Sequence, residues 1–176
     1  MKRVLTLICC FSLCSILGLA QKKNSSPAMS DQQFVNFAAQ ADMSEANLGQ
    51  LAENSAGEQP VKDYAHKLVT DQTADFRELS QAAHKASLKM PAAIDDEHNK
   101  TMIGPFHSLK GASFDHRFAK EMVEEDTKAI DVYKKEVDVG QNLELRSYAE
   151  EALPILQADL AAARKVETAE VPAKRG

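Results

Sequence analysis

Cysteine is missing from residue 15 onward, because all three cysteines of this 176-residue chain fall within its first 14 residues. A domain without cysteine has no disulfide framework, no thiolate metal site and no cysteine nucleophile. Other motifs are missing as well: the sequence has no G-x-S-x-G nucleophile elbow and no glycine-rich phosphate loop. These absences exclude several familiar kinds of active site, and we expect a binding protein rather than an enzyme.

An excess of positive charge is also missing. The sequence holds 21 Lys and Arg residues against 26 Asp and Glu, and removal of Lys2 and Arg3 with an expected leader leaves 19 against 26. Since binding to nucleic-acid phosphates or anionic membrane surfaces depends on excess Lys and Arg, we expect neither as a partner. The expected partner is an unidentified protein or small ligand.

No second long apolar run follows the first twenty residues, which themselves have the make-up of a secretory signal. Two basic residues precede an apolar stretch that ends in the small-x-small sequence Gly-Leu-Ala at 18–20. We expect residues 1–20 to be a signal peptide cleaved near Ala20–Gln21, and the mature protein to be periplasmic or secreted. Since no second long apolar run is present, we expect no transmembrane helix in the mature chain. We also expect no lipoprotein anchor, because no cysteine follows the small residues that lipidation requires.

The alternating pattern typical of strands is absent, and apolar residues recur instead every three or four positions. Four long segments with this period predict four helices, A to D. Capping residues, glycines and prolines mark their ends, and Pro91 is expected to end helix B. The predicted spans are 30–54 for helix A, 60–90 for helix B, 113–139 for helix C and 142–167 for helix D.

The lengths of the connections predict how these helices are arranged. Short A–B and C–D loops make two antiparallel hairpins, while the connection 91–112 is long enough to cross the length of a bundle. This predicts an all-α fold, a ferritin-like four-helix bundle over 30–167, with a flexible linker at 21–29 and a disordered tail at 168–176. A simple up-and-down bundle is the alternative, with a short helix filling the B–C connection.

One strongly polar residue interrupts the apolar stripe of each predicted helix. These residues are Glu45, Gln72, Asp126 and Asp159. Three buried carboxylates facing each other would repel unless they were protonated, hydrated or neutralised by a cation. Carboxylate and amide oxygens suit a hard divalent cation such as Ca²⁺, Mg²⁺ or Mn²⁺, and we regard the four residues as candidate metal ligands. Asp71 and Glu125, one position earlier on their helices, are candidates for the surrounding shell.

A simpler interpretation needs no metal. The four residues can form a wet polar centre whose acids pair with arginines beside the stripes, Arg77, Arg117 or Arg146. The Glu-x-x-His motif of di-metal bundles is absent, and the nearest approximations, at 63–66 and 95–98, lie off the inward stripes. We therefore expect the five histidines on the surface or in loops.

Four stretches of the chain resemble, in order, a known family of secreted bacterial proteins. They are SDQQFVNFAAQADMSEANLGQLA, VKDYAHKLVTDQT, FDHRFAKEMVEEDTKAIDVY and LRSYAEEALPILQADLAAAR. The family is that of domain of unknown function 4142, whose members are often described as outer-membrane proteins. The resemblance implies a helical, ferritin-like fold without an established activity. It also implies histidines where this chain has Gln72, Asp126 and Asp159, so the chain departs from the family pattern at these three positions.

These observations together predict an exported helical-bundle protein of unknown biochemical role, acting as a binding or envelope stress module. The alternative is a metal-binding ferritin-like protein that uses the inward carboxylates to hold a divalent cation.

Overall fold

The computed structural model describes residues 29–170, and every regular element within that range is helical. The predicted all-α class is therefore confirmed. The predicted signal peptide, nearly all of the linker and the last six residues of the chain lie outside the described range. The elements are α1 (Asp31–Ser55), α2 (Gln59–Lys85), a short α3 (Asp96–His98), a π-helical turn (Asn99–Ile103), a 3-10 turn (Gly104–Phe106), α4 (Ala112–Val139) and α5 (Leu143–Glu170).

Capping residues mark the starts of α1 and α5, whereas the end of α2 differs from the prediction. Ser30 and Gln33 form the predicted capping box at the start of α1, and Asn142 accepts backbone hydrogen bonds at the start of α5. The prediction that helix B continues to Pro91 is wrong, since α2 ends at Lys85. Ser87 adopts a left-handed conformation with φ of 59°, and the Leu88 N–H donates to the Ala83 carbonyl at 2.8 Å, which closes the helix.

The connection between α2 and α4 crosses the molecule from one end to the other. Its first residues lie beside the start of α1, where the Gln32 amide donates to the Lys89 carbonyl at 2.7 Å. Its last residue lies beside the end of α1, where the Gly111 N–H donates to the Ser55 carbonyl at 2.7 Å. The buried carboxylate of Asp115 then accepts the N–H groups that precede α2, which fixes α4 at this end. Helices α2 and α4 consequently run in the same direction.

Two apolar clusters hold the four long helices together, one toward each end of the molecule. The cluster near the α1–α2 turn contains Leu48, Leu68 and Met122, together with the connection residues Met102 and Phe106. The cluster at the opposite end is built around the aromatic rings of Phe34, Tyr133 and Tyr148 and around small residues of all four helices. Between the clusters each long helix places polar residues, so the core is divided into two parts.

Helix α5 is longer than predicted and continues through Pro154 to Glu170, three residues into the segment expected to be a disordered tail. None of the helices in residues 29–170 is both long enough and apolar enough to span a membrane.

Gly49 marks the closest approach of α1 to α2. A Cβ atom at this position would lie 2.7 Å from Cγ2 of Val69 and 3.0 Å from the carbonyl oxygen of Ala65. Alanine normally favours a helix over glycine by about 1 kcal/mol, but overlap in a packed core costs about 1–3 kcal/mol. We expect Gly49→Ala to lower the free energy of unfolding, measured by urea denaturation, by about 1 kcal/mol.

The control is the same substitution in a Val69→Ala background, where the nearer contact is absent and the loss should be smaller. An unfolding free energy that rises in the single variant would show that α1 and α2 are not in such close contact.

Candidate functional site

The four polar residues that interrupt the apolar stripes are brought to one level of the molecule, one from each long helix. All are buried, with exposed fractions of 2% for Glu45, 3% for Gln72, 0% for Asp126 and 1% for Asp159. Apolar residues pack on both sides of them, because on every helix the neighbouring stripe positions belong to the two clusters. We call these four residues the acidic layer.

Glu45 and Gln72 join α1 to α2 inside this layer. The Gln72 amide Nε2 donates to Glu45 Oε2 at 2.6 Å. Burial, reinforced first by the charge of Asp126, raises the pKa of the Glu45 carboxyl well above its ordinary value. A carboxyl with a raised pKa retains its proton more readily, so Glu45 carries less negative charge than an exposed glutamate would.

Asp126 is the least satisfied member of the acidic layer. Both of its carboxyl oxygens are buried and have no hydrogen-bond partner among the described residues, and the same holds for Oδ2 of Asp159. Burial, followed by the charge of Asp159, raises the pKa of Asp126 to about 8. The hydroxyl of Tyr64 is also buried without a partner, and its pKa is raised by burial and then by Asp126. Unpaired buried groups of this kind cost about 1–3 kcal/mol each unless something satisfies them.

The positive charge next to the layer comes from a residue that the sequence analysis did not identify, Lys67. Its side chain is 49% exposed, yet its Nζ reaches inward to Oδ1 of Asp159, which is 1% exposed, at 2.6 Å. Lysine can do this because its long apolar stem packs along the helix surface while the ammonium group extends beyond it. Burial raises the pKa of Asp159, and the bond to Lys67 opposes that rise.

The arginines proposed from sequence as partners of these acids have other contacts. The guanidinium of Arg117 lies over the ring of Phe106, with its carbon 5.2 Å from the ring centroid, and Nε of Arg146 donates to the Val137 carbonyl at 3.1 Å. Arg77 is exposed, and no ion pair to it is found among the described residues. The arginine interpretation was therefore wrong for Arg117 and Arg146, and a lysine fills that role.

The two residues expected in the surrounding shell differ in position. The carboxylates of Asp71 and Asp159 both contact the ammonium group of Lys67, so Asp71 borders the acidic layer directly. Glu125 is half-buried and pairs with Lys128 at 3.2 Å, beside the connection residues Thr101 and Met102. Asp71 therefore belongs to the environment of the layer, whereas Glu125 acts on it only through its charge.

A second set of buried polar groups lies one helical turn away and was missed by the sequence analysis. Asp42 and Asp75 occupy α1 and α2, and Tyr148 Oη donates to Asp75 Oδ2 at 2.8 Å while lying 2.9 Å from Tyr133 Oη. Oδ2 of Asp42 has no partner among the described residues. The signal in the sequence is the spacing: Asp42 comes three residues before Glu45 and Asp75 three after Gln72, which on antiparallel helices gives the same level.

The donor set of the acidic layer is entirely oxygen. The five histidines lie elsewhere, as predicted, with four of them exposed and His98 partly buried and bonded to Asp95 at 2.7 Å. Within residues 29–170, no three or more His, Cys, Asp or Glu side chains are already arranged to hold a metal ion. Binding of an ion by Glu45, Asp126 and Asp159 would therefore require these side chains to change rotamer. Asp159 would also have to release the Lys67 ammonium group and bind the ion instead.

A family model described as "Domain of unknown function (DUF4142)" matches residues 18–166. A DUF305 fragment from Deinococcus radiodurans is structurally similar, with a TM-score of 0.67 at 15% identity over 81% of this chain and 99% of that chain. CopM in its Cu(II)-bound form is similar to the same extent, with a TM-score of 0.66 at 14% identity over 81% and 99% of the two chains. No curated protein matches the sequence.

The raised carboxyl pKa values predict that stability falls as pH rises. Below about pH 4 the folded and unfolded chains both hold these protons, and above about pH 4 only the folded chain holds them, up to about pH 6 for Asp75 and about pH 8 for Asp126. The stabilisation is thus complete at low pH and is lost as pH rises through about 6 for Asp75 and about 8 for Asp126. We expect the unfolding free energy to decrease from pH 5 to 8 by up to about 1.4 kcal/mol per pH unit for each such group.

Asp126→Asn isolates the contribution of one carboxyl, because the amide is neutral at every pH. Urea denaturation at several pH values should give a shallower decrease for this variant, with a stability close to that of the unsubstituted protein at about pH 4 and increasingly higher as the pH rises to 8. Equal slopes for the two proteins would mean that Asp126 ionises normally.

Proposed function

The chain belongs to the DUF4142 family, and we propose that it is an exported, ferritin-like four-helix-bundle protein that binds a hard divalent cation in its acidic layer. The make-up of residues 1–20, which resembles that of a secretory signal, supports export to the periplasm or beyond. The crossover connection between α2 and α4 supports the ferritin-like arrangement, because it allows the second hairpin to pack with α4 parallel to α2.

The observation that carries the proposal is the state of Asp126. Two carboxyl oxygens are buried at the level where all four long helices meet, and no described residue donates to either. Glu45 and Asp159 add carboxyl oxygens from α1 and α5. Such a group is costly in an apolar core unless it holds a proton or a cation, and the oxygens are the donors that hard cations prefer.

Binding is favoured over catalysis by the burial of the layer. Its four members are at most 3% exposed and are enclosed by apolar residues on both sides. An ion could be held by small side-chain movements within this layer, whereas an organic substrate would have to separate the helices.

The identity of the donors favours Mn²⁺, Ca²⁺ or Mg²⁺ over copper. Copper sites are commonly built from imidazole or sulfur ligands, and the acidic layer contains neither. CopM is recorded in its Cu(II)-bound form, and at 14% identity its resemblance concerns the fold alone. Copper therefore serves as the comparison ion in a test of selectivity.

The proposal predicts that the metal-free protein binds one divalent cation per chain, and that binding strengthens with pH. The ion must displace protons from Glu45 and Asp126, so affinity should rise about tenfold or more per pH unit below about pH 8. Calorimetric titration with Mn²⁺, Ca²⁺, Mg²⁺ and Cu²⁺ at pH 6, 7 and 8 measures this directly. Elemental analysis of protein purified without chelator gives an independent check.

Asp126→Asn should weaken binding of the preferred ion at least about tenfold, by removing the charge at the centre of the layer. The matched control is Glu125→Gln, which removes the same charge one position earlier on α4, where the side chain pairs with Lys128. The proposal is refuted by the absence of any bound ion and of any shift in melting temperature, or by equal effects of the two substitutions.

Lys67 is predicted to compete with the cation, because its ammonium group already occupies Asp159. Lys67→Gln should therefore raise the affinity for the divalent ion, by about tenfold, while lowering the stability of the ion-free protein through loss of a partner for a buried charge. Lys120→Gln, which removes an equal charge from the exposed pair with Glu124, is the control and should leave both quantities unchanged. Weaker ion binding in Lys67→Gln would show that Lys67 assists the site.

A further inference from the structure

A groove opens on the surface between α1 and α2, beside the acidic layer. It encloses about 210 Å³ and has largely apolar walls formed by Met43, Ala46 and Phe76. Asp42 and Gln72 also line it, and since each is only 3% exposed they form its deepest part.

The base of this groove is in direct contact with the acidic layer. Gln72 lines the groove with part of its side chain and donates through its amide to Glu45 at 2.6 Å. Asp42 contributes a carboxyl whose Oδ2 is buried and has no hydrogen-bond partner among the described residues. Asp42 is the one carboxylate among the residues that line the groove, so an ion there would meet it first, and a movement of the Gln72 amide would bring the ion to Glu45.

The α2–α5 side of the layer does not offer an equivalent path. There the Lys67 ammonium group lies against Asp159 and Asp71, so it covers the carboxyl with a positive charge. An approaching cation would have to displace a side chain that repels it. The groove between α1 and α2 has no such group at its base, although the exposed Arg77 lies at its mouth.

From this geometry we propose that the groove between α1 and α2 is the entrance to the acidic layer, and that Asp42 is the first carboxyl to receive the incoming cation. This inference rests on the proposed cation-binding function and adds the route by which the ion reaches its site. The path runs from Arg77 at the mouth, past Ala46, to Asp42 and then to Gln72.

An entrance controls rates rather than equilibrium affinity, and its charges act on the rate of association. Narrowing the passage with Ala46→Phe should slow association and dissociation alike, by about tenfold, and leave the dissociation constant within about twofold. Arg77→Gln removes a like charge from the mouth and should accelerate association, most clearly at low ionic strength. Asp42→Asn removes the first carboxyl and should slow association.

Stopped-flow measurement of Mn²⁺ binding at low and high salt, with calorimetry for the equilibrium constant, tests these expectations on the metal-free mature chain. The matched control is Ala161→Phe, an equal enlargement at an exposed position of α5 outside the groove. Arg77 is exposed, so the Arg77→Gln variant should fold normally. It therefore tests the entrance even if the Ala46→Phe variant fails to fold.

The results of these experiments distinguish the proposed entrance from the proposed cation site. Slower exchange in Ala46→Phe but not in Ala161→Phe, together with faster association in Arg77→Gln, supports the groove as the entrance. Tight Mn²⁺ binding with unchanged rates in both groove variants overturns the entrance and leaves the cation site standing. Absence of Mn²⁺ binding in the unsubstituted protein overturns the proposed function and the entrance with it.

Discussion

The burial of several carboxyl groups beside a single ammonium group is the constraint on which the rest of this molecule depends. Glu45, Asp126 and Asp159 lie at the meeting point of the four long helices, and only Asp159 has a positive partner. Removing an ionised carboxylate from water costs several kcal/mol even after relaxation. Protons kept on the acids reduce this cost, as the raised pKa values indicate, and under the proposed function a cation takes their place.

The division of the core into two apolar clusters follows from this layer and also supports it. Each cluster holds the four helices together on its own side, so the backbone positions of the acids are fixed from both directions. The crossover connection contributes Met102 and Phe106 to one cluster. In the other cluster the Tyr148 hydroxyl donates to Asp75 and is hydrogen-bonded to the Tyr133 hydroxyl. Such rigid support holds functional side chains in place at little further entropic cost on ligand binding.

The sequence predicts the helices and the acidic layer because both follow from the recurrence of apolar residues every three or four positions. Each layer residue replaces an apolar residue on its stripe, so the substitution is visible in the sequence. Lys67 is not visible in this way, since it reaches the layer from an exposed position through a long side chain. Asp42 was missed for a different reason: it borders the contact between α1 and α2 rather than the centre of the stripe. The end of α2 depends on the local conformation of Ser87, which periodicity does not encode.

The fold and the donor atoms of the acidic layer are separate properties in this architecture. The positions of the layer are set by helix packing, which this chain shares with structures that are only 14–15% identical to it. The donor atoms are set by individual residues, and the family resemblance implies histidine at three positions where this chain has Gln72, Asp126 and Asp159. Replacing imidazole by carboxyl and amide groups changes the donor set from nitrogen to oxygen and adds negative charge. The same helices would then hold a harder ion, or protons and Lys67 in its place, without any change of fold.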